Sequence, residues 1–308
     1  MTTEDLPTLL ASGEHAAFHG KPAAAVGVLE QAVELARSQG LIAETSAASW
    51  LLGVSFGALG RYGAALTVLA PQVEAGVGAG AAPEQRLFGA LSSSTIASIH
   101  RQLGRHTFAR DADQDALALT DGTGEAAFDA LLGLACDAVG LDDAEEAADR
   151  LAHAEAVLPG GGSDWWRQRV RLGWGHAEVA MLEGRTEQAA TFAGEAVQRA
   201  EDARAPRHVS KGLLILGLAQ VSHDHPEAAA TLRRSATLAE SLGVLPLVWP
   251  ARALLGALLA EGAESDRAES DRSLAAARTA VLTIASDLPP GVRAEWLSRS
   301  DVAALLEG

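Results

Sequence analysis

Arg167, Arg171, Trp174 and Glu178 follow one another at steps of four, three and four residues. On an α-helix those steps put all four side chains on one face. The chemistry offered there is recognition. A guanidinium grips a carboxylate through two parallel hydrogen bonds, and tryptophan and arginine carry much of the energy where proteins meet. Trp165, Trp166 and Arg169 lie beside the stripe, and Trp50, Arg101 and Lys211 take comparable slots once the chain is set in register. Arg167, Arg171, Trp174, Glu178, Trp50, Arg101 and Lys211 are therefore the expected partner-binding residues, suited to a carboxylate-bearing or acidic segment. The competing reading is that the tryptophans pack between helices and the arginines neutralise nearby acid.

Other chemistries fail at the residue they need most. Asp111, Asp113 and Asp115 open like a calcium loop, but Ala116 stands where the turn needs glycine and Gly122 where the ion needs a bidentate glutamate. A solvated helix face is the expectation. His15 and His19 can share a helix face, and His223 and His225 flank Asp224, without the cysteines or H-E-x-x-H context of a zinc site. Ser92, Ser93 and Ser94 precede His100 with no G-x-S-x-G elbow. Glu145 and Glu146 suit the positive end of a helix. Cys136, the single cysteine, lies in an apolar run and reads as a small core residue. No catalytic residue, metal or cofactor is expected, and the chain is not expected to be an enzyme.

Composition narrows the partner. The formal net charge is −16 over 308 residues, and only Lys21 and Lys211 are lysines. That balance disfavours nucleic acid, which needs a basic face, and anionic lipid. A peptide or another protein is the remaining partner class. No continuous apolar run reaches the ~18 residues of a membrane span, and MTTEDLPTLL lacks a basic start followed by a hydrophobic stretch. The cytoplasm is the expected location. Hydrophobic residues make up 48% of the chain but aromatics only 4%, so the core is expected to be one of small side chains and close helices.

The elements that position the stripe recur. Gly13, Gly53, Gly133, Gly217 and Gly256 lie in apolar helical stretches, with Ala97 and Ala177 in two further slots, at steps of 36 to 44 residues. A mid-helix glycine costs about 0.8–1 kcal/mol against alanine. Its repetition points to helices that touch, and a fixed period of this size to a solenoid. The expected helix pairs are Leu6–His19 with Pro22–Ser38, Ser46–Leu59 with Gly63–Glu74, Leu87–Leu103 with Thr107–Leu119, and Glu125–Val139 with Asp143–Val157. They continue with Asp164–Leu182 and Glu187–Ala203, Val209–Ser222 and Pro226–Leu242, and Pro250–Ala260 with about Ser270–Ala285. A single helix, Val292–Leu306, closes the chain. Gly76 to Gly80 and Gly160 to Gly162 read as links, with Ser163 or Asp164 capping the next helix. The duplicated AESDR of 263–267 and 268–272 reads as an exposed extension of the last turn without a packing role, and no β pattern is present.

These residues resemble the tetratricopeptide repeat family. Gly13, Gly20, Ala25, Leu29 and Ala32 fit its small-residue pattern, as do Gly53, Gly60, Tyr62, Ala65 and Leu69. So do Gly133, Gly140, Ala147, Leu151 and Ala154, then Gly184, Ala189 and Ala196, then Gly217, Ala229 and Ala236. The period is near 40 rather than the family's 34. It is similar to the long repeats in sensor regions of bacterial multidomain transcriptional regulators. Leu288-Pro289-Pro290 through Arg293, Trp296, Leu297, Val302 and Leu305 looks like their closing segment, although no G-x-x-x-x-G-K-[ST] loop occurs.

The resemblance implies an all-α, right-handed superhelical solenoid of about seven helix pairs. The expected repeats span 4–40, 44–79, 84–121, 124–159, 163–204, 207–243 and 247–286, with a closing helix at 290–307, as a single array over 1–308. It implies a non-enzymatic scaffold holding a peptide or helical segment in its concave groove. The alternative is a regulatory sensor that binds a small molecule or signalling peptide and changes curvature.

Overall fold

In a computed structural model, which describes residues 5–159 and 165–307, the alanine-rich pattern becomes helix-pair packing. Helix α2 (Pro22–Ser38) buries Ala25, Leu29, Ala32 and Ala36 completely. The same spacing recurs along the chain and leaves each helix a narrow, smooth apolar face. Among the described residues there are sixteen helices and no strand.

The chain forms two compact units that divide between residues 162 and 163. The first holds α1 (Leu6–Phe18), α2, α3 (Ile42–Leu59), α4 (Tyr62–Val77), α5 (Pro83–Gln102), α6 (His106–Ala118), α7 (Gly124–Gly140) and α8 (Ala144–Val157). The second holds α9 (Trp166–Leu182), α10 (Thr186–Asp202), α11 (Pro206–Val221), α12 (Ala228–Leu242), α13 (Leu245–Leu259) and α14 (Glu264–Ser286), with α15 (Pro290–Leu297) and α16 (Ser300–Glu307) closing on α14. Within each unit every helix packs on the next, and the odd-numbered helices also pack on one another: α1 on α3, α3 on α5, α5 on α7, and α9 on α11, α11 on α13. Each unit is thus a tetratricopeptide-like α-solenoid whose odd helices form one layer.

The glycine period has a direct cause. A Cβ on Gly13 would lie 2.4 Å from Leu29, on Gly53 2.4 Å from Leu69, on Gly217 2.6 Å from Leu232 and on Gly256 2.7 Å from Leu274. At these four slots the missing side chain of glycine leaves the space that a leucine of the following helix fills. At the two alanine slots, Ala177 is followed sixteen positions on by Ala193 and Ala97 by Asp113. Gly133 departs from this scheme. A Cβ there would meet Asp113 at 2.0 Å, so this glycine makes room for a carboxylate of the preceding repeat.

Several boundaries shift. α3 begins at Ile42, and α4 runs on to Val77 through Pro71, so Gly76 is helical and meets the backbone of Gly89. Gly140 ends α7 and accommodates the His106 ring, while the left-handed turn residue is Asp142 (φ 63°). Asp224 does replace a turn glycine (φ 55°). α13 starts at Leu245 and carries Pro250 inside it. The closing segment is two short helices rather than one. The AESDR duplication is not a turn extension. It is the start of α14, where buried Ser270 donates to Gly256 O at 2.7 Å and Glu269 pairs bidentately with Arg233 of α12. The link 160–162 and its caps Ser163 and Asp164 lie outside the described residues.

Among the described residues one helix, α3, is long and apolar enough to cross a membrane by length and composition. It is an internal helix of the first unit, packed between α1, α2, α4 and α5, which accounts for its apolarity.

Candidate functional site

The odd layer of the second unit brings the α9 stripe onto a matching one from α11. Arg167, Arg171, Trp174 and Glu178 share a face of α9, with Arg167, Arg171 and Glu178 half-buried and Trp174 at 7% exposure. The adjoining flank, with Val170, Ala177 and Ala180, packs into the core with Ala193, Ala196 and Val209, and Trp174 is part of that same cluster. On α11, Arg207 and Lys211 stand forty residues after Arg167 and Arg171, one repeat further on. Two adjacent repeats therefore present the same pair of cationic slots.

Aromatic rings lie between these cations. His208, at 2% exposure, stacks on Trp174 with centroids 5.5 Å apart and planes at 19°, and meets Trp166 edge-on at 5.0 Å. Lys211 Nζ lies 4.7 Å from the Trp174 ring centroid, in cation–π contact. α11 can approach because Gly212 lacks a side chain: a Cβ there would be 2.8 Å from Val197 and 3.4 Å from the Trp174 indole nitrogen.

The charges that act on His208 are all basic. Burial holds the His208 imidazole well below its usual pKa, and Arg207, Arg167, Arg171 and Lys211 push the same way, so this ring is neutral at pH 7. Arg207 is pushed down to about 10, first by burial and then by Arg171. Buried Arg207 Nε and Trp174 Nε1 make no hydrogen bond within the described residues. An anionic group seated here would supply a counter-charge to desolvated Arg207, while half-buried Trp166 offers flat apolar area.

Two of the expected binding residues belong to the first unit and are spent on its packing. Trp50, 8% exposed, donates from Nε1 to Thr95 Oγ1 at 3.2 Å and tilts against Phe18 and Phe88. Arg101 does not present its guanidinium to a partner. Its Nη1 donates to Asp113 Oδ2 at 2.5 Å, Asp137 Oδ2 at 3.0 Å and Gly133 O at 3.2 Å, tying α5 to α6 and α7. Burial opposes this charge, but Asp113 and Asp137 outweigh it and keep the guanidinium protonated. Asp113 was expected on a solvated face, yet it is 0% exposed.

The remaining candidates have structural roles. His15 and His19 stack at 5.4 Å, and no group of metal-binding side chains exists among the described residues. Ser92, Ser93 and Ser94 are buried in α5, with Ser93 Oγ donating to Ala112 O at 2.8 Å. Glu146 lies in the first turn of α8 and pairs with Arg110 at 2.7 Å. Cys136 is half-buried on α7. Sequence reasoning missed Arg207 and His208. The signal was available, because Arg207 and Lys211 repeat Arg167 and Arg171 at the chain's own period.

No protein-family model and no curated protein matches this chain. Solved structures do. A Rap protein complexed with Competence and Sporulation Factor superposes with a TM-score of 0.66 at 12% identity, covering 97% of this chain and 79% of that one. The apo form of the quorum sensor NprR from B. thuringiensis gives 0.54 at 18% identity, covering 76% and 65%. At these identities the likeness is one of fold.

Proposed function

We propose that this chain is a non-enzymatic interaction module of the long-repeat tetratricopeptide type. It holds a peptide or helical segment against the α9–α11 face of its second unit and acts in the cytoplasm. The observation that carries this reading is the doubled cation pair around the Trp166–His208–Trp174 stack, on a chain of net charge −16. Arg167, Arg171, Arg207 and Lys211 contact a carboxylate of the partner, half-buried Trp166 supplies area, buried Trp174 holds Lys211 in place, and Glu178 marks the end of the acid-accepting stretch. Two fold relatives support a signalling ligand: the Rap structure is a complex with Competence and Sporulation Factor, and NprR is described as a quorum sensor.

The test is selection from a displayed random-peptide library. The parent should enrich acidic sequences. A charge-assisted hydrogen bond contributes about 1.5–3 kcal/mol, so Arg167→Ala with Arg171→Ala should weaken the selected peptides at least about 100-fold. The melting temperature should stay within a few degrees, because both side chains are half-exposed. Undiminished binding by the double variant, or loss of its fold, overturns the assignment.

A further inference from the structure

We propose that Arg101, Asp113 and Asp137 form a proton-operated joint between α5, α6 and α7, in which the two carboxylates share one proton and the joint loosens when that proton leaves. The first ground is the break in the repeat pattern. Asp113 stands sixteen residues after Ala97, the separation at which Leu29 meets Gly13 and Leu69 meets Gly53. It is buried, unlike Asp149, Arg233 and Arg272 at the same separation from Gly133, Gly217 and Gly256. Arg101 lies four residues after Ala97, a slot held elsewhere by Ala17, Gly57, Met181, Val221 and Ala260 and, after Gly133, by its own partner Asp137. Replacing buried ion pairs by apolar side chains is commonly neutral or stabilising. The charged set is thus not the arrangement that packing alone would select.

The second ground is the charge count. Both aspartate side chains are 0% exposed and share one guanidinium, so full ionisation sets two buried negative charges against one buried cation, with Arg110 and the His106 ring the other basic groups near Asp137. Asp113 Oδ1 and Asp137 Oδ1 are both buried without a close hydrogen bond, and the Ser94 hydroxyl acts on Asp113 alone. A proton held between the carboxyls supplies the donor that Asp137 lacks. Burial pushes both pKa values up; for Asp113 the Asp137 charge adds to this, and for both Arg101 pulls the other way.

The surrounding charges are few. α5 contributes His100 and Arg101, and the following turn Arg105. α6 contributes His106, whose Nδ1 is 4.0 Å from Asp137 Oδ1, and Arg110, which is paired with Glu146 of α8. α7 contributes Asp137, its neighbour Cys136 and, two turns earlier, Asp129. A carboxyl with a raised folded pKa binds more protons folded than unfolded. Its stabilisation is complete below the unfolded value of about 4 and is lost as pH rises through the folded value.

Amide hydrogen exchange tests this on the full chain, with rates corrected for the intrinsic effect of pH. Between about pH 5 and about pH 8, protection in α6 and α7 should fall by about tenfold per unit of pKa elevation, while α2, α3 and the second unit stay flat. Asp113→Asn, which fixes the protonated shape, should abolish the slope. His106→Gln should retain it, separating the carboxylates from the neighbouring imidazole. If Asp113→Asn fails to fold, Arg101→Met/Asp113→Ala/Asp137→Ala should fold and be flat, and the carboxyl carbons of Asp113 and Asp137 in the parent should titrate above the usual aspartate range. A flat parent, a slope that survives Asp113→Asn, or aspartates that titrate normally overturns the joint.

Discussion

Arg101→Met should lower the melting temperature of the first unit more than any single surface change. Met181 occupies the equivalent position of another repeat, so the side chain itself fits the layer. What it leaves behind is Asp113 and Asp137, both fully buried, with no guanidinium between them. Breaking a buried pair by removing one partner costs about 3–5 kcal/mol. For a unit of this size each kcal/mol shifts the midpoint by roughly 2–4 °C, so a drop on the order of 10 °C is expected by differential scanning calorimetry near neutral pH. The loss should shrink at about pH 5, where the stranded carboxylates take up protons. Arg233→Ala, which removes an exposed bidentate pair with Glu269, should cost less than about 1 kcal/mol. A midpoint for Arg101→Met within 2 °C or so of the parent would show that the buried charges are not a structural unit.

Gly53→Leu should be the most damaging apolar substitution. A Cβ at this position starts 2.4 Å from both Cγ and Cδ2 of Leu69, and Leu69 is completely enclosed. The side chain cannot swing out, so α3 must move from α4. Overpacking costs about 1–3 kcal/mol when neighbours can adjust, and here the upper end or more is expected from urea unfolding. The repeats suggest their own rescue. In the repeat of α9 and α10 these two slots hold Ala177 and Ala193, which lie in one buried cluster. Gly53→Ala and Leu69→Ala should each destabilise alone, yet the pair should be more stable than the sum of the two losses, with a coupling inside the 0.5–3 kcal/mol range of touching residues. Strict additivity would refute the shared-volume account of the glycine period.

Much of the fold could be read from local signals, because helix pairs punctuated by glycine are short-range features. α2 is an example: Pro22 sets its first turn, and buried Ala25, Leu29, Ala32 and Ala36 fix its face. What escaped required knowledge of neighbours. Pro250 resembles a helix start, but Leu245 and Pro246 already begin α13. The AESDR duplication looks soluble throughout, yet Ser270 is buried by its bond to Gly256. The aspartates at 111, 113 and 115 look alike in sequence, and only the arrival of Arg101 from α5 makes the middle one a core residue. Arg101 was recognised as unusual and given the wrong destination for the same reason. On the candidate face, the α9 stripe is local and was legible. Its completion by Arg207 and His208 depends on α11 packing beside it.

The stack of Trp174 on His208 beneath the Lys211 ammonium also makes the protein its own optical reporter. Indole emission depends on the field across the ring. A carboxylate that draws Lys211 away from the ring would change that field at Trp174, with Trp166 on the same histidine as the second indole of the face. Trp50, held by Thr95 in the other unit, should give the background together with Trp249 and Trp296. Occupancy of the face can therefore be followed by steady-state or lifetime measurements on the unlabelled chain, with Trp174→Phe identifying the responding component.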